Sequence, residues 1–181
     1  RRDHRVESHA VLITKGVNRA GKRDIIGVDV CNNENETNWS LFFKGLKERG
    51  LKGVRLVISD AHSGLLKAIE ENFPGCQWQR CQVHFKKNIL DKVRNKDKAW
   101  VKQCLDDIFL APDKETGLER LQQFVVKLSE KYPDAADLLE EGGEDSLTCL
   151  NFPEQHRRRI RTTNSLERFN QEIKRRTSVL R

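Results

Sequence analysis

The spacing of apolar residues changes several times along the chain, and each change marks an element. His9–Val17 is apolar-rich (Ala10, Val11, Leu12, Ile13) and runs into Asn18-Arg19-Ala20-Gly21, with Ile25–Val30 following at once. Two short β-branched runs across a Gly-containing turn predict a β-hairpin. Between Thr37 and Leu51, the residues Trp39, Phe42, Phe43 and Leu46 recur at helical spacing, closed by Gly50. Val54–Ile58 is a short, nearly all-apolar strand bounded by Gly53 and Ser59-Asp60. Leu65, Leu66, Ile69 and Phe73 predict a helix stopped by Pro74-Gly75, and Gln77–Phe85 reads as a further strand. From 88 to 144 the period is helical, with breaks near Pro112 and Pro133. Leu105, Ile108, Leu121, Val125, Leu128, Leu138 and Leu139 line the expected buried faces. Asn164–Arg176 predicts a last helix with Leu166, Phe169 and Ile173 as its buried stripe. The order is hairpin, helix, strand, helix, strand, helical block, helix. An α/β core interrupted by an all-helical insertion follows.

Composition narrows this further. A chain of 181 residues with 36% apolar content has room for one real core. No run approaches the ~18 apolar residues that span a bilayer, and no signal-peptide pattern opens the chain. Five cysteines without regular spacing read as reduced thiols of a cytoplasmic protein. The start at Arg1-Arg2 and the lack of any Met suggest an internal fragment. The net charge of +7 is unevenly placed. Residues 80–102 carry 8 Lys+Arg against 2 Asp+Glu, and 155–181 carry 9 against 2. Between them, 103–154 carry 4 against 13. Basic stretches attract polyanions, although a solvated helix surface explains either segment equally well on its own.

Four groups could carry chemistry. Asp60 stands where a buried strand ends and a helix begins, the edge at which open α/β sheets bind ligands. The competing reading is an ordinary Asp N-cap. Glu167 falls three residues after Asn164, the position of a capping-box Glu, and lies beside the expected apolar stripe, where a carboxylate can face a cleft. Cys81-Gln82-Val83-His84 could be half of a zinc site, but His62, Cys76 and Cys104 form no second pair. A buried Cys81 with His84 facing the cleft is the preferred reading. Finally, Arg157-Arg158-Arg159-Ile160-Arg161 and Lys174-Arg175-Arg176 can reach phosphates around an acidic residue.

Four segments in this order carry a resemblance. They are Gly27-Val28-Asp29-Val30, Leu56–His62, Trp78–Phe85, and Arg161–Asn170 running into Lys174-Arg175-Arg176. The chain resembles, over essentially its whole length, the transposases of the Mutator superfamily in its bacterial insertion-sequence branch. That resemblance implies a ribonuclease-H-like core with an all-helical insertion before the last catalytic residue. The expected division is 1–87 for the first part of the core, 88–152 for the insertion and 153–181 for its completion. It implies an Asp-Asp-Glu site in which Asp60 matches the second Asp and Glu167 the Glu, both as metal ligands. Cys81 and His84 match the family's Cys-x2-His element. The family's first Asp lies just upstream of the strand placed at His9–Val17. Only Asp3, in what reads as a loop, precedes that strand here, so the first Asp is expected to be missing from this chain.

The implied reaction is phosphoryl transfer with two Mg²⁺ ions, or Mn²⁺ in their place, in DNA strand cleavage and strand transfer. The implied partners are transposon ends and target DNA, with a homo-oligomer on DNA, no membrane, and a cytoplasmic, nucleoid-associated location. The residues expected to meet DNA are His84, Arg157, Arg158, Arg159, Arg161, Asn164, Arg168, Lys174, Arg175 and Arg176. The rivals are a ribonuclease-H-like nuclease without strand transfer, a catalytically dead domesticated DNA-binding protein, and a plain basic α/β interaction domain.

Overall fold

The computed structural model describes residues 9–18 and 20–178; the reading of Asp3 lies outside them. The chain is mixed α/β and divides into two compact units. Among the described residues no helix is long and apolar enough to cross a membrane.

The first unit comprises Arg1–Arg55 and Ala61–Cys76. In it β1 (Ala10–Val17) pairs antiparallel with β2 (Arg23–Cys31), Ile13 opposite Val28, with a bulge between Thr14 and Lys15. The turn is built by Asn18, whose Oδ1 accepts from the N–H groups of Ala20 and Lys22, while Gly21 takes φ +74°. Helix α1 (Glu36–Glu48) buries Trp39, Phe42, Phe43 and Leu46, the spacing its sequence predicts. Its cap is Asn35, whose side chain accepts from Asn38 N–H. Gly27 allows α1 close approach to the hairpin, since a Cβ there would lie 2.7 Å from the Phe42 ring. Helix α2 (Ser63–Asn72) packs on α1 through Leu65, Ala68 and Ile69.

The second unit comprises Leu56–Asp60 and Gln77–Arg181. Strands β3 (Leu56–Ser59) and β4 (Gln77–Arg80) pair in parallel, Ser59 opposite Arg80. The expected strand through Phe85 stops at Arg80, and helix α3 (Gln82–Asp91) begins at once. The reason is periodicity: Cys81, Phe85 and Ile89 are all fully buried, a four-residue repeat that only a helix puts on one face. A 3-10 turn, Asn95–Asp97, leads into α4 (Lys98–Phe109), α5 (Lys114–Ser129), α6 (Pro133–Gly142) and a 3-10 segment, Glu144–Asn151. Their core is Phe85, Ile89, Val101, Leu105, Ile108, Leu128, Leu139 and Leu147, with Val125 and Leu138 packed at its margin. Helices α7 (Glu154–Ile160) and α8 (Asn164–Ser178) complete the chain. The apolar stripe of α8 is less buried than its sequence suggests. Phe169 is 37% exposed, and Leu166 and Ile173 are only half-buried.

Two buried glutamines tie the strand pair to the helical block. Gln79 donates from Nε2 to the Ser146 carbonyl at 2.8 Å and accepts on Oε1 from Cys149 N–H at 2.5 Å. Gln82 donates to the same Ser146 carbonyl at 2.8 Å and to the sulfur of Cys149, whose thiol burial pushes up to about 11. Arg80 lies over the Phe85 ring at 4.2 Å. Replacing Gln79 with Leu keeps the volume but strands buried backbone groups. Gln79→Leu should therefore cost about 2 kcal/mol in urea unfolding. The control Gln77→Leu, at an exposed position, should change stability by no more than about 0.5 kcal/mol.

Candidate active site

Parallel pairing puts the C-terminal ends of β3 and β4 at one edge, and the next residue of each carries a reactive side chain. Asp60 follows β3 and Cys81 follows β4; the Cys81 N–H donates to the Ser59 carbonyl at 2.8 Å, extending the pairing by one step. Trp78 braces this edge through Nε1, which donates to Ser59 Oγ at 2.9 Å. Cys81 is also the residue before the first turn of α3, so His84, three positions on, looks back over the same edge. Its Nδ1 contacts Asp60 Oδ1.

Glu167 arrives from far along the chain. The turn between α7 and α8 docks on the start of α3: Gln82 N–H donates to the Arg161 carbonyl at 3.0 Å. Thr163 N–H and Oγ1 lie 3.4 and 3.2 Å from Cys81 Sγ. Oγ1 of Thr163 also donates to Glu167 Oε1 at 2.9 Å, and that oxygen stands 3.5 Å from His84 Nε2. Asp60 and Glu167 thus face the two nitrogens of one imidazole, placing their carboxylates no more than about 8 Å apart. Asp60 is 57% exposed, and His84 and Glu167 are each 34% exposed, so the cluster is open to solvent.

Neither carboxylate caps a helix. Residue 62, not Asp60, precedes α2. At α8 the cap is Thr163, one residue earlier than the sequence suggests, and its carbonyl accepts from the N–H groups of Leu166 and Glu167. Glu167 is therefore one position too deep for a capping box and bonds a hydroxyl instead. Sequence reasoning gave Thr163 no role, although it lies within the Arg161–Asn170 segment that carries the resemblance.

The basic residues divide. Arg157 is committed to the carbonyls of Phe152 and Pro112, at 2.8 and 2.5 Å. Arg175 and Arg176 pair with Glu172, which they hold below the usual carboxylate range. Arg158, Arg159, Arg168, Lys174 and Asn164 are exposed, and Arg161 is half-buried.

Comparison with known proteins decides the family. The family description "Transposase, Mutator family" matches residues 1–181. The chain belongs to the Mutator family of transposases. It is 42% identical over 176 residues to the transposase for insertion sequence element ISRM5 of Rhizobium meliloti, covering 97% of this chain and 44% of that one. It is 41% identical over 181 residues to the transposase for IS406 of Burkholderia multivorans, covering 99% and 46%. Against the transposase for IS256 in transposon Tn4001 of Staphylococcus aureus it is 38% identical over 183 residues, covering 100% and 47%. The chain spans under half the length of these relatives.

Because Glu167 caps no backbone N–H, Glu167→Gln should lower stability in thermal melting by less than about 1 kcal/mol. Thr163→Val removes the hydroxyl between Cys81 and Glu167 and should cost about 1 kcal/mol. Equal and larger losses in both would return Glu167 to a structural role.

Proposed function

We propose that this chain is the catalytic domain of a DNA transposase that cuts and joins strands by metal-dependent phosphoryl transfer. Its core is ribonuclease-H-like, with the helical block inserted before Glu167. One observation carries the reading. Two carboxylates 107 positions apart in sequence converge on one solvent-open imidazole at the C-terminal edge of a parallel strand pair. Like charges are brought together at a cost, and an exposed site does so for a cation or a proton donor.

The donor set fits a hard divalent cation, since both candidate ligands offer carboxylate oxygens and Asp60 is exposed. Asp60 and Glu167 would hold Mg²⁺ or Mn²⁺, completed by a third carboxylate that is neither of these two. Bound as a pair of ions, the metal supplies Lewis-acid activation of water or a 3′-hydroxyl and stabilises the leaving oxygen. The protein's own part is positioning. The β3 edge fixes Asp60, Thr163 holds one oxygen of Glu167, and the His84 ring stands between the two carboxylates. His84 also stands where a phosphate oxygen would approach.

Arg158, Arg159, Arg161, Arg168 and Lys174, with Asn164, are the proposed contacts to the DNA backbone. Arg175 and Arg176 can join them, since surface pairs such as theirs with Glu172 hold side chains weakly. Arg157 contributes by fixing α7. The proposed substrates are transposon ends and target DNA, bound by a homo-oligomer in the bacterial cytoplasm at the nucleoid.

In the purified transposase, Asp60→Asn and Glu167→Gln should each reduce Mg²⁺-dependent nicking and 3′-hydroxyl joining by at least about 100-fold. Binding to element ends should stay nearly unchanged. Nicking without joining in the wild type would make the enzyme a nuclease; near-normal nicking in both variants would end the metal-site reading. Non-specific DNA binding should weaken steeply with salt, with a log–log slope of about −4.5 for five phosphates. Flat binding across a salt titration would assign the arginines to a solvated surface.

A further inference from the structure

Asp60, Cys81 and His84 offer three different ligand chemistries, and their ligand atoms all lie within 4.8 Å of one another. A tetrahedral zinc site places its ligands at about 2.0–2.3 Å from the ion, hence roughly 3.5 Å from each other, so a small contraction closes this set. His84 Nδ1 is itself buried and has no aligned hydrogen bond, although the Asp60 carboxylate faces it. Two lone-pair atoms facing each other without an aligned proton favour a cation shared between them. A Mg²⁺ ion prefers six oxygens, and the buried sulfur of Cys81 is a poor ligand for it.

We infer that the site has a second metal mode: a borderline divalent ion, Zn²⁺ or a chemical relative, bound by Asp60, Cys81 and His84. The surroundings support a metal-bound thiolate. Thr163 N–H and Oγ1 both point at Cys81 Sγ, the outer hydrogen bonds that orient such a ligand. The Thr163 hydroxyl has one proton for two acceptors, Cys81 Sγ and Glu167 Oε1. Glu167 stays on the Nε2 side of the His84 ring, so the fourth position of the ion is left to a water. Zinc and the proposed Mg²⁺ site share Asp60, so the two modes exclude each other. Zinc binding rests on this geometry alone; only its effect on cleavage rests on the proposed function.

The test is Co²⁺ titration of the purified protein, followed by absorption. The expected result is a tetrahedral visible spectrum with a thiolate-to-cobalt band in the near ultraviolet, erased by stoichiometric Zn²⁺ and unaffected by excess Mg²⁺. Cys81→Ser should remove the thiolate band and weaken Zn²⁺ binding at least tenfold. His84→Gln should weaken it similarly, while Cys104→Ser changes neither; melting curves verify that each variant is folded. An octahedral spectrum with no thiolate band, or a band that survives Cys81→Ser, overturns the assignment. If the site binds as expected, Zn²⁺ should inhibit Mg²⁺-dependent nicking in the wild type over the same concentrations at which it displaces Co²⁺. Cobalt binding without any nicking would instead remove the cleavage reading and leave the zinc site standing.

Discussion

The docking of the turn before α8 onto the first turn of α3 is the contact on which the site's geometry depends. A helix start leaves N–H groups without partners, and α3 gives its first to the Arg161 carbonyl. Two residues later Thr163 takes hold of Cys81, and one turn later Glu167 stands over His84. None of the described side chains of α8 is fully buried, so these few bonds set where the carboxylate lies. Each contributes only about 0.5–1.5 kcal/mol net, while closing a loop of some eighty residues costs several. They cannot close it unaided. The apolar core of the helical block does, and the docking bonds choose the register once its ends are near.

That division explains the buried glutamines. A helical block packed only on itself could rotate against the strand pair with little penalty. Gln79 and Gln82 remove that freedom because both reach the 3-10 segment just before α7, at Ser146 and Cys149. Unsatisfied, these buried amides would cost more than their bonds return, so they specify one arrangement rather than merely adding stability. Gln79 stands two residues before Cys81, and Gln82 directly after it. The clamp that seats the block is thus continuous with the strand end that carries the cluster. A shift of the block would be felt at Cys81 before it reached Glu167.

What the sequence made legible follows the range of the forces involved. Local period was enough for the hairpin, for α1 and α2, and for the helical run with its breaks near Pro112 and Pro133. It failed at Gln77–Phe85, where the alternation of Cys81, Val83 and Phe85 with polar residues reads as a strand although a helix begins after Cys81. It failed again on α8, since the Leu166–Phe169–Ile173 stripe states which face is apolar and not what covers it. Asp60 and Glu167 were legible as candidates through the resemblance, but their capping alternatives were equally good locally. Only the tertiary placement removes the capping alternatives. Capping would aim each carboxylate at its own helix, yet one contacts Nδ1 and the other approaches Nε2 of the same ring. The Cys-x2-His spacing was informative for a reason that spacing cannot state. Three residues is what a helix beginning directly after a strand needs to hold both side chains over that strand's end, where the neighbouring parallel strand delivers Asp60.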